Sequence, residues 1–256
     1  MINLETLATE QQNSHSQHID SVSTEDMLRI INEEDHKVAD AVGAIIPAIA
    51  QAVDTIADKL RRGGRLFYMG SGTSGRLGIL DAVECPPTYS TDPERIQGLI
   101  AGGYEAIFRA KEGAEDSPEL GRQDLIDNNQ TADDVVVGPE VVTGSTRMKA
   151  GTAQKMIANM LSTGAMIRLG KVYGNLMVDV KSSNQKLEER ARRIVMTATG
   201  CSRQEAIEAL RESQGRAKTA IVMVLLHIPA SEAEDRLTAA QGYVAAVLKE
   251  ADHGLR

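Results

Sequence analysis

Tryptophan is absent from this chain of 256 residues, and aromatic residues make up only 3% of it. So small an aromatic content argues against stacking platforms for nucleic-acid bases or polymeric sugars. Cysteine occurs twice, as Cys85 and Cys201, which is too few for a disulfide framework and lacks metal-ligand spacing. Two such cysteines are typical of a protein from a reducing compartment.

Long apolar runs and an excess of basic residues are also lacking. No run reaches membrane-spanning length, and Met1 is followed by a polar segment rather than by the basic and apolar regions of a signal peptide. The formal net charge of -8 argues against a nucleic-acid or acidic-membrane partner. The composition therefore predicts a cytoplasmic globular protein with no nucleic-acid and no membrane partner.

The most informative stretch runs from residue 63 to residue 87. Apolar residues at 66–69 predict a buried strand, and those at 77–83 recur at helical spacing. Between them lie small and hydroxyl-bearing residues that include Ser71, Gly72, Thr73 and Ser74. A strand, a glycine-rich loop and a helix N-terminus form an anion site, because free N–H groups and the helix dipole favour negative charge. The loop lacks the P-loop lysine and the full dinucleotide fingerprint, which favours a monophosphate ester over a nucleotide as the ligand. The alternative to an anion site is a glycine-rich turn with a serine helix cap.

The remaining apolar patterns predict an α/β fold. Strands at 66–69, 96–101 and 134–138 alternate with helices, which implies a parallel sheet covered on both faces. Further helices are predicted at 105–111, 120–128, 156–169, 183–198, 202–213, 215–227, 230–240 and 242–250. We expect three parts: helices in residues 1–62, a sheet domain in 63–181 and a small helical domain in 182–256.

Prolines and glycines predict where several helices break or end. Pro47 interrupts a long amphipathic pattern, so we expect a kink or a split there. Gly63 is expected to end that helix. Pro86 and Pro87 are expected to stop the helix that follows the anion loop.

A second hydroxyl-rich and basic stretch occupies residues 139–155. Its polar residues include Ser145, Thr146, Arg147 and Lys149. One interpretation is a cationic wall beside the anion site that contacts the substrate. The alternative interpretation is a loop followed by a capped helix, and the residues alone leave both open.

Five motifs follow one another along the chain in a characteristic order: GSGTSGRLGILDAVECPPTY, GLIAGG, KEGAEDS, GPEVVTGSTRMKAGTAQK and GKVYGNLMVDV. Together they resemble the N-acetylmuramic acid 6-phosphate etherases, a family built on a sugar isomerase (SIS) domain and related to the glucokinase regulatory protein. The resemblance implies a SIS-type parallel sheet flanked by helices, with a small all-helical C-terminal domain.

The resemblance also implies an activity. The family cleaves the D-lactyl ether of N-acetylmuramic acid 6-phosphate to N-acetylglucosamine 6-phosphate and D-lactate, in cell-wall recycling. It does so in the cytoplasm, as a homodimer, with no metal and no cofactor. Its two catalytic carboxylates match Glu84 of VECPP and Glu115 of GAEDS, of which we assign Glu84 as the acid at the lactate oxygen and Glu115 as the base at C2.

The position of Glu84 raises a geometric question. A straight helix from Ser74 to Glu84 would separate them by about 15 Å, whereas a sugar phosphate is about half that length from phosphorus to C3. Either the helix ends early and Glu84 folds back, or Glu84 serves the site of a partner subunit in a symmetric dimer.

One feature departs from the family pattern. In the family pattern, a second serine-rich loop, a helix and a further strand, together on the order of a βαβ unit, separate the residues that match Gly138 and Pro139. In this chain Pro139 follows Gly138 directly, so this segment is either deleted or omitted. Its loss removes about half of the expected phosphate donors and one strand, so we expect weak or absent activity.

Three other functions stay open at the level of sequence. A sugar-phosphate-binding regulator without catalysis would keep the phosphate loop but need neither glutamate. An aldose–ketose isomerase would also use a base at C2. A non-functional remnant would lack one cooperative unfolding transition.

Overall fold

A computed structural model describes residues 14–16, 19–109, 111, 118–137, 149–180 and 185–254. The chain divides into two compact units, one of residues 1–82 with 96–162 and the other of residues 83–95 with 163–256. The predicted three-part division stays a prediction.

Two helices precede the sheet, α1 at Thr24–Ala44 and α2 at Ile46–Arg61. They meet at Ile45 with a bend of 62°, and Pro47 lies in the first turn of α2, where its missing N–H leaves no helical bond unmade. The split predicted at Pro47 is therefore confirmed. Among the described residues no single helix is long and apolar enough to cross a membrane. The bent pair of α1 and α2 has the required length and apolar composition only when the two helices are taken together.

The parallel sheet has the strand order β2–β1–β3 in the described residues. Its strands are β1 at Leu66–Gly70, β2 at Ile96–Ile100 and β3 at Val135–Val137. Leu66 and Phe67 of the central strand have no exposed surface, whereas Val136 of β3 is 38% exposed. The three predicted strands are confirmed, and β3 is covered less completely than β1.

The other helices follow the predicted order. The remaining elements are α3 at Gly72–Tyr89, α4 at Glu105–Phe108, α5 at Pro118–Asp127, α6 at Lys149–Arg168, β4 at Val172–Tyr173, β5 at Leu176–Met177, α7 at Gln185–Thr199, α8 at Arg203–Glu212, α9 at Ala217–Leu226, α10 at Ala230–Ala239 and α11 at Val244–Gly254. Helix α6 begins at Lys149 rather than at the predicted Met156, and the short strands β4 and β5 were not predicted. Helix α4 ends three residues before the predicted position because Arg109 is extended. The fold is thus α/β, with a parallel sheet flanked by helices and a C-terminal helical region.

The prediction that Pro86 and Pro87 stop α3 is wrong. The helix contains both prolines and ends at Tyr89. Proline lacks an N–H group but has a φ compatible with a helix, and the N–H of Ser90 still donates to the Pro86 carbonyl at 2.9 Å. The chain leaves the helix at Ser90, whose φ is +52°.

The second unit has its core around α9. This helix is apolar on nearly all sides, and its residues from Thr219 to Met223 are buried. Helices α7, α8, α10 and α11 contribute most of the other buried apolar residues of this cluster, Val178, Val180 and Ala240 lie outside these helices, and the β4–β5 hairpin packs against the cluster. A helix that is apolar all round needs neighbours on every side, which explains why other helices and the hairpin surround α9.

An ion pair fastens the start of β3 to the start of β1. Arg65 donates to Asp134 from its backbone N–H and its guanidinium, each at 2.8 Å. The side chain of Asp134 is only 3% exposed. The hydrogen bonds from Arg65 lower the pKa of Asp134 from its usual 3.8 to about 2.

This lowered pKa predicts acid-dependent stability. A carboxylate with a lowered pKa stabilises the fold above about pH 4 and loses that contribution as the pH falls toward 2. Replacing Asp134 by asparagine should remove about 2 kcal/mol of this acid-dependent stability. Urea unfolding at pH 6 and pH 2.5 measures it, with Asp133→Asn, whose side chain is 78% exposed, as the control. Equal pH dependence in Asp134→Asn and the unmodified chain would contradict the assignment.

Candidate functional site

The backbone changes from strand to helix within two residues at the end of β1. The strand ends at Gly70, and α3 begins at Gly72, whose φ of +50° lies in the left-handed region that favours glycine. The N–H of Gly75 donates to the Ser71 carbonyl at 3.1 Å and begins the regular hydrogen-bond ladder. The N–H groups of Gly72, Thr73 and Ser74 precede the first bond of that ladder and lie at the positive end of the helix dipole. The predicted strand and the helix N-terminus after it are therefore confirmed, whereas the predicted loop is reduced to Ser71, because Gly72, Thr73 and Ser74 already lie in the first turn of α3.

Glycines let α3 lie close to the sheet at this point. A Cβ at Gly75 would lie 2.5 Å from the Gly70 carbonyl oxygen and 2.7 Å from Cγ1 of Ile100. A Cβ at Gly78 would lie 2.7 Å from the Cβ of Tyr68. These distances are well below the 3.5–4.0 Å at which carbon atoms attract each other. The two glycines therefore set how closely the helix N-terminus approaches the strand ends.

Replacing Gly75 by alanine should destabilise the first unit by about 1–3 kcal/mol, because the added methyl group forces the helix away from β1. Urea denaturation measures the change. Gly43→Ala is the matched control, since a Cβ at Gly43 meets nothing within 4 Å. Equal stability of the two variants would show that the close approach is dispensable.

A cavity of about 390 Å³ adjoins the predicted loop. Its lining comprises Thr73 and Leu77 of α3 and Gly151, Thr152, Lys155, Met156 and Asn159 of α6. Hydroxyl groups, an amide and a lysine thus share a concave surface with the first turn of α3. Such a surface suits a small polar anion.

Two polar contacts connect α3 with α6 beside this cavity. The hydroxyl oxygen of Ser74 lies 3.1 Å from the amide oxygen and 2.9 Å from the amide nitrogen of Gln154. The ammonium of Lys155 lies 3.7 Å from the Asp81 carboxylate, whose side chain is 4% exposed. The sequence prediction did not include Gln154 or Lys155 in the site. The four-residue spacing of Gly151, Lys155 and Asn159 on one helix was the signal that could have found this face.

Of the four residues predicted to form the cationic wall, the structure describes Lys149 alone. Lys149 donates to the Glu34 carboxylate at 2.5 Å, and buried Glu34 also accepts from Lys37. The role of Lys149 at the substrate stays a prediction. The other predicted wall residues, Ser145, Thr146 and Arg147, and the predicted base Glu115 lie outside the described residues.

The predicted acid Glu84 lies on α3 and is exposed. Because α3 continues to Tyr89, the helix does not end before Glu84. Of the two explanations for its distance along the chain, an early helix end is therefore wrong. The other explanation, that Glu84 serves the site of a partner subunit, stays a prediction.

Comparison with known proteins gives a family model and many relatives. The model for the glucokinase regulatory protein N-terminal SIS domain matches residues 48–156. An N-acetylmuramic acid 6-phosphate etherase of Clostridium beijerinckii is 48% identical over 300 residues, which cover 98% of this chain and 99% of that protein. Etherases of the same name are 50% identical over 295 residues in Photobacterium profundum (96% and 98% covered) and 47% identical over 290 residues in Salinibacter ruber (94% and 93% covered).

The lengths of these alignments bear on the expected missing segment. An alignment of 300 residues that uses 98% of a 256-residue chain draws roughly 250 residues from it, so about 50 positions of the Clostridium protein have no counterpart here. The chain is thus shorter than its relatives by somewhat more than the βαβ unit expected. Similarity at this level over nearly the whole length shows that the chain belongs to the N-acetylmuramic acid 6-phosphate etherase family.

Proposed function

We propose that this chain cleaves the D-lactyl ether of N-acetylmuramic acid 6-phosphate to N-acetylglucosamine 6-phosphate and D-lactate. The observation that carries the proposal is a hydroxyl-rich strand–loop–helix junction in a chain about half identical to etherases along its length. We place the reaction in cell-wall recycling in the cytoplasm and the active enzyme in a homodimer.

The loop binds the phosphate group of the sugar in this proposal. Ser71, Thr73 and Ser74 supply hydroxyl donors, and the N–H groups from Gly72 onward supply backbone donors at the positive end of α3. Hydrogen bonds to a charged group contribute about 1.5–3 kcal/mol each. Fixing the phosphate end leaves the reacting C2–C3 bond at a defined distance from the loop.

The carboxylates carry out the chemistry. The open-chain sugar has an aldehyde at C1, which makes the C2 proton acidic. The base, Glu115, removes that proton, the C3–oxygen bond breaks, and the acid, Glu84, protonates the departing lactate oxygen. The electron pair of the C2–H bond forms the C2–C3 double bond of an unsaturated aldehyde. Water activated by Glu84 then adds at C3, and C2 regains a proton.

Isotope labelling tests the proposal in a single reaction. The chain is incubated with N-acetylmuramic acid 6-phosphate in D₂O enriched in ¹⁸O, at an enzyme concentration above that of the substrate. Mass spectrometry should find D-lactate without ¹⁸O, and N-acetylglucosamine 6-phosphate with ¹⁸O at C3 and deuterium at C2. Label in the lactate would contradict elimination from C3. Binding of the sugar phosphate without lactate release would favour a regulator, and a ketose product would favour an isomerase.

A further inference from the structure

The amide of Gln154 meets the hydroxyl of Ser74 in a way that allows two arrangements. The amide oxygen accepts and the amide nitrogen donates, and the two lie 3.1 Å and 2.9 Å from the Ser74 oxygen. A serine hydroxyl can donate one hydrogen bond and accept two. The hydroxyl proton can therefore point either to the amide oxygen of Gln154 or away from it.

A phosphate in the loop would select one of these arrangements. Phosphate oxygens of an ionised ester accept hydrogen bonds, so the Ser74 proton must point toward the anion. The amide oxygen of Gln154 then loses its donor, whereas the amide nitrogen keeps donating to the Ser74 oxygen. A donor on the serine oxygen also strengthens the bond that the hydroxyl gives to the anion, because hydrogen bonds in a chain polarise one another.

We infer that Gln154 is a positioning residue that directs the Ser74 hydroxyl proton toward the substrate phosphate. The inference rests on the proposed function, since it assumes that the loop binds a phosphate ester. Ser74 lies in the first turn of α3, and both side chains are half-buried, which limits competition from water. The neighbours Thr152 and Lys155 on α6 and Thr73 on α3 line the adjoining cavity.

Two substitutions separate the donor from the acceptor role of Gln154. Gln154→Glu keeps the shape but replaces the donor by an acceptor with negative charge, and it should weaken phosphate binding by at least about 10-fold. Gln154→Met keeps the length but neither donates nor accepts strongly, and we expect a smaller loss of about 3-fold to 10-fold. Calorimetry with N-acetylglucosamine 6-phosphate and with inorganic phosphate measures binding. Gln51→Glu, an exposed position on α2, is the matched control, and thermal melting verifies that each variant is folded.

A double-mutant cycle with Ser74→Ala tests whether Gln154 acts through Ser74. Without the serine hydroxyl, Gln154→Met should produce no further loss. An equal loss in both backgrounds, affinity of Gln154→Glu within 2-fold of the unmodified chain, or no detectable phosphate binding by the unmodified chain would each overturn the inference. Phosphate binding that depends on Gln154 without release of D-lactate would support the inference while contradicting the proposed function.

Discussion

We expect this chain to cleave N-acetylmuramic acid 6-phosphate at least about 100-fold less efficiently than its relative from Clostridium beijerinckii. About 50 residues of that relative have no counterpart here. We place the gap between Gly138 and Pro139, where the family pattern would continue into a second hydroxyl-rich loop. Two missing charge-assisted hydrogen bonds of about 1.5–3 kcal/mol each are enough to account for such a loss. Values of kcat/KM for D-lactate release by the two proteins measure it.

Restoring the segment is the matching test. Inserting the corresponding residues of the Clostridium relative between Gly138 and Pro139 should return kcat/KM to within about 10-fold of that relative. A glycine–serine linker of equal length is the control, because it lengthens the chain without adding a strand or a loop of hydroxyl donors. A strand added beside β3 would also reduce the exposed fraction of Val136, which is 38% in this chain. Equal efficiency of the unmodified chain and the relative would contradict the expected loss.

Replacing Glu84 by glutamine should lower D-lactate release by about 10²- to 10⁴-fold, the usual contribution of a general acid or base. The same loss is expected for Glu115→Gln. Each variant should be measured in this chain and in its lengthened form, so that a low starting activity does not hide the effect. Glu250→Gln, at an exposed position on α11, is the control.

The two glutamate variants should differ in a second measurement. If Glu115 is the base at C2, Glu84→Gln still exchanges the C2 proton of N-acetylglucosamine 6-phosphate with deuterium from the solvent, whereas Glu115→Gln does not. The opposite result would reverse the two roles. Release of D-lactate at the unmodified rate by both variants would remove the pair from the mechanism.

Mixing inactive variants tests whether Glu84 serves a partner subunit. A Glu84→Gln chain and a chain defective in the loop, such as Gly75→Ala with Ser74→Ala, carry their defects in different parts of the site. If each site takes its loop from one subunit and Glu84 from the other, mixed dimers contain one intact site and regain part of the activity. No recovery, with exchange of subunits verified by mass spectrometry, would assign both parts to one subunit.

Much of the fold follows from local patterns in the sequence. The apolar run at 66–69 predicted β1, because a short apolar run bounded by glycines is typical of a buried strand. The helix after it was predicted from the spacing of residues 77–83, whereas α3 already begins at Gly72, inside the stretch that was predicted as a loop. Pro47 predicted the break between α1 and α2, because a proline inside a helix removes a backbone hydrogen bond. Pro86 and Pro87 misled the prediction, because a proline near a helix end costs few hydrogen bonds and the helix continues for one more turn at most.

The parts of the site that the sequence did not reveal depend on contacts between distant residues. Ser74 and Gln154 are 80 positions apart, so only the folded chain brings the amide to the hydroxyl. The pairing of Lys149 with Glu34 was equally hidden, because a charge pattern near Lys149 cannot show that a glutamate 115 positions earlier lies within reach. Local sequence predicted which residue types the site needs, and the packing of α6 decided which of them meet.

A crystal structure with bound N-acetylglucosamine 6-phosphate tests the account most directly. Phosphate oxygens should lie about 3 Å from the backbone nitrogens of Gly72 to Ser74 and from the Ser74 hydroxyl, with the sugar ring directed toward a carboxylate from either subunit. A phosphate group bound anywhere else, with neither glutamate facing C2 or C3, would contradict it.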